Sequence, residues 1–161
     1  MNLENYFLAR ALHLAAVVLW IGGVAFVTAV LLPAVRQFRK PAEQVAFFEK
    51  VEAAFGRQAR VTTAVTGLSG IYLVHSLGAW ERFAELQYWW MHAMVLVWAL
   101  FTLILFVLEP LWLHRWFRER SQRDPAGTLA MIARLHWLLL LASLTTVAGA
   151  AAGSHGWSFG R

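Results

Sequence analysis

Six histidines are the residues of this 161-residue chain whose chemistry most needs an explanation, because they sit in or beside long apolar runs. A neutral imidazole can ligate haem iron or copper through one ring nitrogen, and it can carry a proton near neutral pH. In a bilayer an ionisable group is costly, so it calls for a partner or a function. His13, His75, His92 and His155 fall at one end of four successive apolar runs, whereas His114 and His136 fall at the other end, beside Arg115 and Arg134. Met91-His92-x-Met94 sets thioethers beside an imidazole, a donor set suited to Cu(I). On a helix, however, Met91 and Met94 share a face while His92 and Met94 differ by about 200°, so the three hold one ion only if the helix unwinds. There is no cysteine, which excludes disulfides, thiolate metal sites and cysteine nucleophiles and leaves histidine as the natural axial ligand of a haem.

The elements that must position these side chains follow from the spacing of charge. Residues 11–35, 61–80, 86–108 and 135–160 are runs of 25, 20, 23 and 26 residues without a charged side chain. At about 1.5 Å per helical residue each is long enough to cross a hydrocarbon layer of roughly 30 Å. With 60% hydrophobic and 14% charged residues, the chain reads as an all-α integral membrane protein. It forms one domain, 1–161, a four-helix up-down bundle with spans at about 7–33, 59–79, 88–112 and 133–155. The second span is the least apolar, and Thr62, Thr63, Thr66, Gly67, Ser69 and Gly70 should turn toward other helices. Residues 41–55, apolar at Val45, Phe48, Val51 and Phe55, suit an amphipathic surface helix or an extension of that second helix. The third helix should end near Glu109-Pro110, where the chain can kink and continue one turn to Trp116, and Asp124-Pro125 with Gly127 are turn signals before the fourth.

Eleven of the fourteen basic residues lie in two connections, 33–60 and 113–134, and three lie elsewhere, at Arg10, Arg82 and Arg161. The positive-inside rule makes both connections cytoplasmic and puts the N-terminus and C-terminus outside. In a bacterial inner membrane both termini would be periplasmic. The first span is too long for a signal-peptide core and follows Glu4, so it reads as retained. The basic pI of about 10.4 then reports topology, and no nucleic acid is expected as a partner.

In this orientation His13, His75, His92 and His155 share the outer level. Across the diagonals of an up-down bundle the pairs are His13 with His92 and His75 with His155, suited to a b-type haem. Arg10, one turn before His13, is placed for a haem propionate. Gly22, Gly23 and the Ala148, Ala151 and Ala152 face could admit a porphyrin, although helix packing is the commoner use of such small residues. Each outer histidine can also be read as an interfacial polar residue. His114 and His136 read as headgroup contacts, and Glu109 as an interfacial acid paired with an arginine or as a proton or cation relay.

Residues 12–23, Leu-His-Leu-Ala-Ala-Val-Val-Leu-Trp-Ile-Gly-Gly, continuing to Leu-Leu-Pro-Ala-Val-Arg at 31–36, resemble the copper-resistance D (CopD) type of bacterial membrane protein. That resemblance implies a location in the bacterial inner membrane, and copper movement across it with a periplasmic copper-binding partner. The first helix is also similar to that of the membrane protoporphyrinogen oxidase family, which implies a haem on His13. Lys40 and Lys50 are both in the loop, so no lysine within a span accompanies that likeness.

Three functions stand open on this reading. The first is a haem b protein passing electrons at the periplasmic face, to a quinone or a periplasmic redox protein, with membrane oxidoreductase activity as the enzymatic form. The second is a copper transport or homeostasis protein using His13, His75, His92 and His155 with Met91 and Met94. The third is an accessory membrane subunit whose histidines and tryptophans anchor it at the interface. The oligomeric state is open.

Overall fold

The computed structural model describes residues 3–37 and 40–155, without the side chains of Pro41, Ala42 and His114. Arg39 and Arg161, which enter the charge asymmetry, lie outside the described residues. Five helices account for nearly all of the chain: α1 Leu3–Val35, α2 Pro41–Ser76, α3 Leu86–Leu113, α4 His114–Arg123 and α5 Pro125–Ser154. There is no strand among the described residues.

Three of these helices, α1, α3 and α5, are long and apolar enough to cross a membrane. Their outward faces are apolar as well, with Val18, Leu96 and Leu138 each more than 60% exposed. Such a surface is suited to lipid and marks the chain as a membrane protein. α2 is the longest element, and Leu68 on it is 71% exposed. Residues 41–55 form the first turns of α2 and are continuous with its apolar part.

Proline accounts for the irregular turns. α1 widens to a π-helical turn over Val27–Leu31, just ahead of Pro33, and α3 does so over Ile104–Leu113, around Pro110. A proline ring clashes with the carbonyl four residues earlier and donates no N–H, and a wider turn relieves the clash without ending the helix. Pro41 and Pro125 instead occupy the first turn of their helices, where no N–H is missed. Asp124 is the one residue between α4 and α5, and its Oδ1 accepts from the Gly127 amide at 2.9 Å. At the other end of the molecule Gly78 closes α2 with a positive φ of 60°, followed by short 3-10 turns at Ala79–Ala84 and Leu86–Tyr88.

Neighbouring helices run antiparallel. Gly23 of α1 meets the Phe55 ring of α2, whereas His13 meets Gly70. Gly67 of α2 receives the Trp98 ring of α3, and Gly149 and Gly153 of α5 receive Trp89 and Trp90. A Cβ at Gly23, Gly67, Gly149 or Gly153 would overlap those rings, so the glycines fix the rotation of each helix. Trp20, Ile21, Val24, Phe101 and Leu140 join α1, α3 and α5 at mid-length, where the Trp20 and Phe101 rings meet edge to face, 4.9 Å apart. A second cluster, Val27, Leu31, Leu32, Val35, Phe48, Leu129 and Ala133, seals the end opposite His13.

Candidate functional site

His13 is held between helices. Its Nδ1 lies 3.1 Å from the Thr66 carbonyl and 3.1 Å from Ser69 Oγ. Because the Thr66 carbonyl can only accept, Nδ1 carries the proton, which leaves Nε2 unprotonated with a free lone pair. No partner meets Nε2 among the described residues. An imidazole oriented through Nδ1–H to a carbonyl is the arrangement that prepares the other nitrogen for a metal. Gly70 lets α2 approach this closely, since a Cβ there would stand 3.2 Å from His13 Cε1. Arg10 is exposed one turn away and has no ion-pair partner among the described residues.

The other outer histidines stand differently. His92 has Nε2 2.9 Å from the Phe83 carbonyl and Nδ1 3.4 Å from the Tyr88 carbonyl, and its ring meets Phe83 edge to face. It braces the turn between α2 and α3. His75 is exposed, and His155 is exposed with Nδ1 donating to its own helix at Ala151, 2.7 Å away. Met91 is buried and Met94 half-buried. Among the described residues, no three histidine, aspartate or glutamate side chains converge where a metal ion could sit. His136 lies at the opposite end, with Nδ1 donating to Ile132 at 3.0 Å and its ring against Phe48. The side chain of His114 is outside the described part.

Of the small residues considered as porphyrin slots, Gly23 is filled by Phe55, while Gly22 opens on a groove of about 570 Å³ between α1 and α2. Ala148 and Ala151 face outward, and Ala152 is half-buried.

A second polar centre lies at the end of the bundle opposite His13. Arg60 of α2 donates through Nε to the Leu105 carbonyl at 3.0 Å and through a terminal nitrogen to Glu109 Oε1 at 2.8 Å. In the wide turn the Leu105 carbonyl would face residue 110, but that residue is Pro110 and offers no N–H. Arg60 supplies the missing donor. Gly56, one turn before Arg60, makes room for the Glu109 carboxylate, which would stand 3.6 Å from a Cβ there.

Glu52, one further turn along the same face, lies outside all four spans expected from the sequence. Burial, then the Glu109 carboxylate, push its pKa up to about 7; Arg60 offsets part of this and Glu49 adds a little. Glu109 therefore has the arginine partner expected of an interfacial acid, but Arg60 and Glu52 were not singled out in the sequence. The signal was present as Glu52, Gly56 and Arg60 at four-residue spacing.

No protein-family model, characterised protein or solved structure matches this chain. Its function therefore has to be argued from these two centres.

Between them lie three buried polar atoms with no hydrogen-bond partner among the described residues: Trp20 Nε1, Thr63 Oγ1 and Thr102 Oγ1. Thr28, Thr62, Thr66, Ser69, Ser143 and Thr146 all return their hydroxyl proton to a carbonyl four residues back. Thr63 and Thr102 do not.

Proposed function

We propose that the chain is a bacterial inner-membrane protein in which α1, α2, α3 and α5 form an up-down bundle with periplasmic termini, and that it carries a b-type haem on His13. The observation that carries this reading is the orientation of His13, whose Nδ1–H is taken up by Thr66 and Ser69 while Nε2 stays open. The fit is to one histidine. His92 would have to surrender its bond to the Phe83 carbonyl to serve as a second ligand, so we assign it to the turn.

Arg10 is the group suited to a propionate. When bound, the haem supplies a one-electron carrier at the outer level, from which a quinone or a periplasmic protein would exchange electrons. α2 spans in this reading although it is the most polar of the four, because Thr62, Thr66, Ser69 and Gly70 are covered by other helices or bonded to their own carbonyls.

The visible spectrum of detergent-purified protein, before and after dithionite, tests the reading. Reduced α and Soret bands are expected in the wild type, lost in His13→Ala and retained in His136→Ala. A colourless preparation that retains copper would replace haem by the copper function. A His13→Ala protein with an unchanged spectrum would remove His13 as the ligand.

A further inference from the structure

We infer that α2 carries a proton path through the bundle, from Glu52 through the Thr63 and Thr102 hydroxyls to Thr66 and Ser69. The inference rests on the four-span reading but needs neither the haem nor any change in the protonation of His13.

Charge places the entry. Arg60 and Glu109 form a balanced pair, so ionised Glu52 leaves the trio at minus one and a proton on Glu52 brings it to zero. The guanidinium therefore presents no net positive barrier. Glu109, Arg60 and Glu49 are the charged groups that act on this carboxyl, and its pKa near 7 lets it both take and release a proton at neutral pH.

The orphaned hydroxyls place the middle. The Arg60–Leu105 and Trp98–Thr63 bonds bracket Thr102, which puts Thr63 and Thr102 at one level of the α2–α3 contact. Thr63 is fully buried. In a bilayer interior a hydroxyl without an acceptor is costly, and every other hydroxyl on this face of α2 avoids the cost by bonding its own helix. A water held between Thr63 and Thr102 would satisfy both.

Spacing completes the line. Thr63, Thr66 and Ser69 recur every three residues, a rise of about 4.5 Å per step, which one bridging water spans. From Glu52 to Ser69 the rise is about 26 Å, of which about 15 Å, residues 59–69, lies within the second span, about half of a hydrocarbon layer, and the line ends at the level of His13. At each hydroxyl one proton is accepted as another is passed on, so no oxidant, reductant or co-reactant is consumed.

The test is passive proton flux in proteoliposomes of the full chain loaded with a pH-sensitive dye and driven by a valinomycin-set potassium potential. Wild-type vesicles should change internal pH faster than protein-free vesicles. Glu52→Gln and the Thr63→Val/Thr102→Val double variant should each slow that change at least about tenfold. Thr63→Ser, which restores a hydroxyl, and Thr146→Val, which removes one outside the path, should conduct like wild type. Wild-type flux no greater than that of empty vesicles overturns the path, as does full flux in the double valine variant. A conducting protein without haem bands would remove the haem reading alone, and a haem-binding protein without flux would remove the path alone.

Discussion

Glu52→Gln should make the stability of this protein less dependent on pH, and the size of the effect follows from the carboxyl's surroundings. In the folded chain the group holds its proton up to about pH 7, against 4.5 in its ordinary state. Between those values the native state binds one more proton than the unfolded state, so wild-type stability falls as pH rises through the window and levels off above it. The rise in pKa corresponds to about 3 kcal/mol in full, and to less in proportion to the solvent that reaches the carboxyl. Glutamine keeps the shape and removes the titration. The two proteins should therefore be about equally stable near pH 4.5, and the variant should become the more stable by about 2 to 3 kcal/mol near pH 8. Denaturant unfolding in mild detergent micelles, followed by tryptophan fluorescence at a series of pH values, reads the difference. Parallel stability curves for the two proteins from pH 4.5 to 8 would refute the raised pKa of Glu52 and the burial that is its main cause.

Other changes have equally definite outcomes. Asp124→Ala removes the cap of α5 and should cost about 1 kcal/mol of stability in the same unfolding assay. Gly153→Leu forces a side chain into the space of the Trp90 ring and should destabilise by about 1 to 3 kcal/mol, whereas Gly22→Ala, facing open space, should not. His92→Ala should make limited proteolysis within Ala79–Ala84 faster, since the brace to Phe83 is gone, and should leave unchanged any haem bands of the proposed His13 site. Reporter fusions after Arg36 and Arg118 should report cytoplasm, and those after Arg82 periplasm; a cytoplasmic Arg82 would overturn the orientation.

The helices α1, α3 and α5 were legible in the sequence because a bilayer imposes a length, and their charge-free runs of 23 to 26 residues reveal it directly, whereas α2 begins twenty residues before its run. The break at Asp124-Pro125 followed from proline's preference for the first turn of a helix, whereas at Glu109-Pro110, where an end was expected, the helix widens and runs on to Leu113. What charge spacing does not carry is rotation about each helix axis. His13 could be assigned a depth, but its partners Thr66 and Ser69 depend on the phase set where Gly23 receives Phe55 and Gly70 admits His13. Glu52 was hidden for a different reason. In the sequence it is one of several charges among Glu43, Glu49, Lys50 and Glu52, and its four-residue spacing with Gly56 and Arg60 marks a face without showing that this face meets α3, which the bonds of Arg60 to Leu105 and Glu109 do. His92 read as a ligand by its level alone, and its Nε2 contact with the Phe83 carbonyl depends on a turn too short to be foreseen from composition.

The fit of α1 against α2 has a consequence for biogenesis. In the four-span reading α2 presents threonines, a serine and the Arg60 end to its surroundings, and by itself it would partition poorly from the translocon into lipid. α1 carries the apolar surface, and it also carries His13, which caps the Thr66 carbonyl and the Ser69 hydroxyl, and Gly23, which receives Phe55. The two should therefore leave the translocon as one hairpin, with α2 held back until α1 is beside it. A nascent chain arrested before Ser76 emerges would expose a half-solvated helix to the cell's membrane quality control, which makes the first helix an intramolecular chaperone for the second.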